Sequence, residues 1–325
     1  MSPTQYSKDI SIMGSILTNV SAMTALQSLN KTNMSMEETQ RRISTGYRVG
    51  TAEDNAAYWS IATTMRSDNS ALSTVKDALG LGAATIDVAY TAINSAIDVT
   101  KAIKDKLVAS RQPGVDRTKI QSEITELQNQ LQSIADSAVF SGENWLSTDS
   151  SAAGYNATKS IVSSFSRTNG NITIGTISID VTGLTFFDTG AGATQVGIID
   201  GMRDATGAIA VAGTFSVATL DISALTNSAA DITTLEQYIV GVDASISEMT
   251  SSASTLGATK QRVTLQQSFV TALIDAVDRG ISTLVDADMT QESTRLQALQ
   301  VQQQLGIQSL SIANQNSQNI MALFK

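Results

Sequence analysis

The chain has no cysteine, no histidine, two prolines (Pro3 and Pro113) and two tryptophans in 325 residues. Each shortage removes chemistry. Without Cys or His there is no zinc site of the usual kinds, no thiol nucleophile, no Ser-His dyad and no imidazole base. No disulfide can form, so cysteine usage gives no redox compartment. Basic residues are also scarce. Against 30 Asp and Glu there are 21 Lys and Arg, a net charge of −9. That argues against nucleic acid as a partner, because neutralising phosphates takes a basic face. Hydrophobic residues reach 42 %, yet no run approaches the ~18 consecutive apolar residues of a membrane span. The opening MSPTQYSKDISIMGS lacks the continuous apolar stretch of a secretory signal. These features predict neither a metal nor a cofactor.

What the chain does have is heptad spacing. From Ile239, steps of three and four reach Val242, Ile246, Met249, Ala253, Leu256, Lys260, Val263, Gln267, Val270, Ile274, Val277, Ile281 and Leu284. Only Lys260 and Gln267 break the apolar seam. Sustained 3-4 spacing predicts a coiled-coil helix, here ~70 Å long at ~1.5 Å per residue. A second seam runs through Leu72, Lys76, Leu79, Ala83, Ile86, Tyr90, Ile93, Ile97, Thr100, Lys104 and Leu107. RQPGVD then breaks the helix at Pro113 and Gly114, and Ile120, Ile124, Leu127, Leu131, Ile134 and Ala138 form a third seam. Three such helices predict an elongated antiparallel bundle.

Between about Leu146 and Leu235 the pattern changes. NITIGTISIDVTGLTFF and AIAVAGTFSVATLDIS alternate apolar and polar residues with β-branched types and glycines. Period two predicts short antiparallel strands, and the few long apolar side chains predict a thin core. The fold class is therefore mainly α with a β-rich insertion: a long antiparallel helical bundle built from both chain ends, with a small outer β-containing domain in the middle.

The chain ends are helical as well. Ala22, Leu29, Met36 and Ile43 stand seven apart, and Leu296, Leu299, Gln303, Gly306, Leu310, Ala313, Ser317, Ile320 and Phe324 follow 3-4 spacing. Both segments are rich in Ser, Thr, Asn and Gln and poor in charge. Surfaces meant for water carry more charge, so a scattered apolar stripe here predicts burial against other chains. A seam interrupted by Gln, Gly and Ser predicts incomplete order until a partner covers it.

Four stretches resemble the bacterial flagellins. In RRISTGYRVGTAEDNAAYWSIATTMRSD, residues Arg42, Ile43, Ser44, Gly46, Arg48, Asp54, Ala56 and Ala57 match that family's N-terminal signature. SILTNVSAMTALQSLN resembles its opening segment, VFSGENWL its turn after the third helix, and QQQLGIQSLSIANQNSQNIMALFK its closing segment. The wording of DNAAYWSIATTMRSDN and SGENWL is most similar to flagellins of soil alphaproteobacteria. The family's usual start corresponds to Met13–Gly14–Ser15–Ile16, which leaves residues 1–12 as extra; the leader is bounded at 1–13, before the inner domain at 14.

The resemblance implies an architecture and a role. The expected domains are an inner terminal coiled coil (14–46 and 287–325), a long helical rod (47–147 and 236–286) and a variable surface domain (148–235). The expected function is the structural subunit of the helical tubular filament that serves swimming. Its expected partners are further copies and other flagellins, an export apparatus and chaperone, and hook-filament junction and cap proteins. It would leave the cell through the flagellar type III pathway without a cleaved signal. No catalysis, no membrane insertion and no nucleic acid are implied. The expected polymerisation interface is Leu26, Leu29, Met36, Arg42, Arg48, Asp54, Leu296, Leu299, Leu310, Ile320, Leu323 and Phe324. A hook-filament junction protein of the same superfamily, or a helical signalling bundle, remain as alternatives.

Among single residues, Arg41, Arg42, Arg48 and Arg66 surround Glu53 and Asp54. They suit either solvated charge or ion pairs between subunits. Asp286 and Asp288 fit helix-start caps better than a metal pair, because the other ligands of a calcium loop are missing.

Overall fold

The computed structural model describes residues 18–168, 170–190, 197–210 and 213–323. The extra leader lies outside them. Five helices carry most of the chain: α1 (Val20–Thr45), α2 (Ala56–Ser110), α3 (Arg117–Ser137), α4 (Ala229–Val285) and α5 (Met289–Leu323). Each starts on a side chain that satisfies early backbone N–H groups. Asn19 accepts from Ala22 N, Asn55 from Tyr58 N, Asp116 from Thr118 N, Ser228 Oγ from Asp231 N and Asp288 from Thr290 N. Asp288 is thus the cap that its position predicts. Gly46 ends α1 at φ +75°, a left-handed conformation that a Cβ penalises, and returns its N–H to Arg42 O.

The chain divides into two units. One takes the chain up to Ser67 and from Val277 onward; the other runs from Asp68 to Ala276. In the second unit α2 and α4 run antiparallel in a single register. Lys104 meets Asp243 at 2.6 Å, Lys260 meets Asp87 at 2.6 Å and Arg111 meets Glu236 at 2.5 Å. The α4 seam is as predicted: Val242, Met249, Ala253, Leu256, Val263 and Val270 are buried. Its two breaks are accommodated, Lys260 by Asp87 at the rim and Gln267 beside Gly80. On α2 the predicted seam is half right. Leu72, Leu79, Ile86, Ile93, Ile97, Thr100 and Leu107 are buried, but the adjoining lane is Val75, Gly82, Ala89, Ala96 and Ile103. Lys76, Ala83, Tyr90 and Lys104 sit one residue off, half exposed. On α3, Ile124, Leu131 and Ala135 are buried. Arg117 ties its start to Ser110 O and Leu225 O.

The middle of the chain holds six strands among the described residues: β1 (Val139–Phe140), β2 (Glu143–Asn144), β3 (Ser147–Thr148), β4 (Thr158–Thr168), β5 (Asn171–Asp180) and β6 (Phe187–Asp188). β1 and β2 form an antiparallel pair turned by Ser141 and Gly142, both at positive φ, as a tight hairpin turn requires. β3 pairs with β6 in parallel, and β4 with β5 antiparallel, with a bulge between Val162 and Ser164. The β4–β5 hairpin lies on the helices. Ile161 packs over Gly82, Gln266 donates to Ser163 O at 2.9 Å and Arg167 reaches Asp68 at 2.8 Å.

The predicted strand at AIAVAGTFSVATLDIS does not form among the described residues. Turns and two isolated bridges, Arg203 to Ile209 and Arg203 to Phe215, replace it. A buried arginine stands at both bridges. Arg203 is 0 % exposed and donates to Gly207 O at 2.6 Å, Ile198 O at 2.7 Å and Glu248 Oε2 at 2.7 Å. The segment itself bonds back to Met202 and Arg203 rather than along a sheet edge: Arg203 N donates to Phe215 O at 2.7 Å, Thr214 N to Arg203 O at 2.8 Å and Ala210 N to Met202 O at 2.8 Å. Nor is the core thin: Leu146, Val181, Phe186, Ile199, Phe215, Val217, Leu220 and Ile222 are buried together with it.

Candidate functional site: the paired chain ends

The first unit brings the two chain ends together. α1 and α5 run antiparallel, and their contacts climb one helix as they descend the other. Asn19 Nδ2 donates to Ala313 O at 2.9 Å. Leu29 lies over Gly306, where a Cβ would stand 3.2 Å from its Cδ1. Gln303 Nε2 donates to Asn33 Oδ1 at 2.9 Å, and Arg42 Nη1 meets Glu292 Oε1 at 3.1 Å. Gly306 and Gln303, which interrupt the seam in sequence, therefore sit at the contact itself.

The two connectors, α1 to α2 and α4 to α5, are bonded to one another. Arg48 N and Val49 N both donate to Val285 O, at 2.7 and 3.1 Å, and Ala287 N donates to Gly46 O at 2.9 Å. Beneath them Val49, Ala62, Ile281 and Val285 form a buried cluster, joined by Met65, Val277 and Leu284. Asp54 closes the first connector. Its carboxylate takes Arg41 Nη2 at 2.5 Å, Gly50 N at 2.9 Å and Thr51 N at 3.0 Å. The Arg41 hydrogen bond holds the Asp54 carboxyl well below the usual carboxylate range. Arg42 also pairs with Glu38, Arg48 Nη2 donates to Leu284 O at 2.9 Å and Arg66 stacks over the Tyr47 ring at 4.9 Å. All four arginines singled out in the sequence thus have partners within the chain. Asp286 accepts from Ser282 Oγ.

The expected interface residues fall into groups. Leu29, Met36, Leu296, Leu299 and Leu310 lie on the mutual face of α1 and α5, with Leu299 buried and the others half-buried. Leu26 faces away and is 47 % exposed. Arg42, Arg48 and Asp54 brace the connector. Ile320 and Leu323 belong to α5 by their backbone; their side chains, and Phe324 altogether, lie outside the described residues. A second set went unnoticed in the sequence. Val301, Leu305 and Ile312 are 55 %, 58 % and 61 % exposed, on a stripe of α5 offset from the α1-facing one. Val20, Met23 and Met34 do the same on α1. The i, i+4, i+11 spacing on α5 and the i, i+3, i+14 spacing on α1 were the available signal.

No described helix is long and apolar enough to cross a membrane. Chain ends closing on each other as a low-charge coiled coil, in a chain whose long helices flank a strand-bearing middle in sequence, define a helical structural protein. Comparison with known proteins narrows the class. Residues 16–151 match the bacterial flagellin N-terminal helical region, and residues 239–324 the bacterial flagellin C-terminal helical region. The chain is similar to flagellin C of Rhizobium meliloti strain 1021, 52 % identical over 322 residues, spanning 96 % of this chain and all of that protein. Flagellin A of the same strain is 44 % identical over 396 residues, and a flagellin of Brucella melitensis biotype 1 is 42 % identical over 314. Each match spans 96 % of this chain and the whole relative. The chain belongs to the bacterial flagellin family. It is a structural subunit of the flagellar filament outside the cell, and it polymerises with its own kind. The junction-protein alternative gains no support from these matches.

Proposed function

We propose that the paired chain ends, 14–46 with 287–325, are the inner layer on which copies stack. In this reading 47–147 with 236–286 forms the next layer, and 148–235 the outer surface. The observation that carries it is the unpartnered apolar stripe Val301, Leu305 and Ile312, with Val20, Met23, Leu26 and Met34 on α1. Leu29, Met36, Leu296, Leu299 and Leu310 shape that layer from within. Ile320, Leu323 and Phe324 continue it at the end of the chain. Arg42, Arg48 and Asp54 hold the connector, so that every copy presents one geometry to the next. A head-to-tail contact that does not close on itself builds a helical filament.

The inner helices bury little alone. On α1 the one buried side chain among the described residues is Thr39. Their packing is completed by adjoining copies. A chain without disulfides and with two prolines also suits passage, unfolded, through a type III export channel with a chaperone, and addition beneath a cap above the hook-filament junction. The role is mechanical and uses no catalysis.

The test is the Val301→Ser, Leu305→Ser double variant. Burying each of these side chains against a neighbour contributes about 1–2 kcal/mol. The critical concentration for filament growth, read by sedimentation, rises at least tenfold while the circular dichroism of the soluble chain is unchanged. An unaltered critical concentration refutes the assignment.

A further inference from the structure

We propose that Asn33 and Gln303 are register-setting residues. They select the observed antiparallel alignment of α1 and α5 over alignments slipped by one heptad. The apolar side chains cannot make that choice. On α1 the heptad positions are Ala22, Leu29, Met36 and Ile43; on α5 the facing residues include Leu296, Leu299, Leu310 and Ala313. Slipping α5 by seven residues one way sets Leu29 against Leu299, and the other way against Ala313. Either is still an apolar contact, tighter by the side chain that Gly306 lacks. Polar groups are less forgiving. In the observed alignment the Gln303 carboxamide donates to Asn33 at 2.9 Å, in a part-buried position. Slipped one way, Asn33 faces Leu296; slipped the other, it faces Leu310. Its amide then has no partner on the facing helix, and at this part-buried position the lost hydrogen bond costs about 0.5–1.5 kcal/mol.

Two neighbours act in the same sense. Gly306 receives Leu29 in a space that a Cβ would narrow to 3.2 Å. In the slipped alignments that space faces Ala22 or Met36, while Leu29 has to fit over a larger residue. Near the connector, Arg42 reaches the Glu292 carboxylate only in the observed alignment. Three contacts of different chemistry thus agree on one register. A single polar pair on a coiled-coil seam is known to specify alignment at some cost in stability. The polar breaks of the α5 seam are, on this view, its addressing elements. The register assignment stands on contacts inside the chain. Only its consequence for the filament rests on the proposed interface: a slip would carry the Val301, Leu305 and Ile312 stripe ~10 Å along α1.

The experiment uses the full chain, which has no native cysteine. Cysteines at the exposed positions Ser28 and Gln291 carry nitroxide labels. Double electron–electron resonance then reads their separation in filaments diluted with unlabelled chains of the same variant, and in unassembled chains. The natural pair gives one distance. Asn33→Leu with Gln303→Leu keeps the helix content and adds a second population displaced by ~10 Å. The exchanged pair, Asn33→Gln with Gln303→Asn, restores a single distance. A Leu/Leu variant that retains only the natural distance, or that loses the α1–α5 pairing outright, overturns the proposal. So does an exchanged pair that scatters as widely as Leu/Leu. Failure of the interface reading looks different: the natural chain still gives one distance, but Val301→Ser with Leu305→Ser assembles normally.

Discussion

Gly82 stands in the middle of α2, where an alanine would ordinarily be better by about 1 kcal/mol. The structure reverses that sign. A Cβ at Gly82 would lie 2.5 Å from Ile161 Cγ2, 2.7 Å from its Cδ1 and 2.9 Å from its Cγ1. Carbon atoms prefer about 3.5–4.0 Å. Ile161 cannot easily yield: it is β-branched, 8 % exposed and held in β4 opposite Ile177. Overpacking of this kind costs about 1–3 kcal/mol, which outweighs the helical gain. Gly82→Ala is therefore destabilising in the natural chain by about 1–2 kcal/mol. In an Ile161→Ala background, itself about 2–4 kcal/mol less stable, the obstruction is gone and Gly82→Ala becomes stabilising by about 1 kcal/mol. The coupling between the sites is then about 1–3 kcal/mol, above the scatter of independent substitutions. Trp145, 4 % exposed and lining the same cavity as Gly82 and Ile161, reports locally during urea unfolding. A Trp59→Phe background removes the other indole. If Gly82→Ala changes stability in the same direction in both backgrounds, the seating of the hairpin on α2 is wrongly described.

Three further outcomes follow from charges. Burial pushes the Asp200 carboxyl up to about 6, and the neighbouring Asp188 carboxylate adds to the shift. A raised carboxylate value means that ionisation opposes folding, so the middle region loses stability as pH rises from about 4 through about 6, by up to about 3 kcal/mol. Asp200→Asn keeps an oxygen for Asp188 N and flattens that slope in denaturation midpoints. Asp54 behaves in the opposite sense. Its lowered value means that its contribution is present above the ordinary carboxylate range and fades as pH falls below it, so Asp54→Asn removes an acid-side loss of protection at the Gly50 and Thr51 amides in hydrogen exchange. Glu292→Ala leaves Arg42, whose side chain is 19 % exposed, without its α5 partner. It destabilises the α1–α5 pair by about 1–3 kcal/mol, read as faster exchange at the start of α5.

Helix positions and lengths could be read from apolar spacing because burial on one face is a repeated, local requirement. The α4 seam shows this, with Val242, Met249, Leu256, Val263 and Val270 all buried. The second lane of α2 could not be read the same way, since Gly82, Ala89 and Ala96 carry little hydrophobic signal. They are chosen for smallness, Gly82 so that Ile161 can approach. The AIAVAGTFSVATLDIS segment alternates like a strand but folds around Arg203. Its bonds run to Met202 and Arg203, outside the alternating run, and the alternation does not record them. At the chain ends, spacing located the α1–α5 face but mistook Gln303 for a weakness; its partner Asn33 is 270 residues distant. The exposed stripe of Val301, Leu305 and Ile312 was in view all along. One stripe was expected per helix, so the second passed unread.

Whether α5 turns that second stripe toward other copies can be measured at one atom. Leu305 is 58 % exposed in the single chain, and Leu305→Cys places the molecule's one thiol there. Maleimide labelling is fast in the soluble chain and slows at least tenfold once filaments form. Equal labelling rates in the two states would contradict the claim that the paired chain ends are the surface on which copies stack.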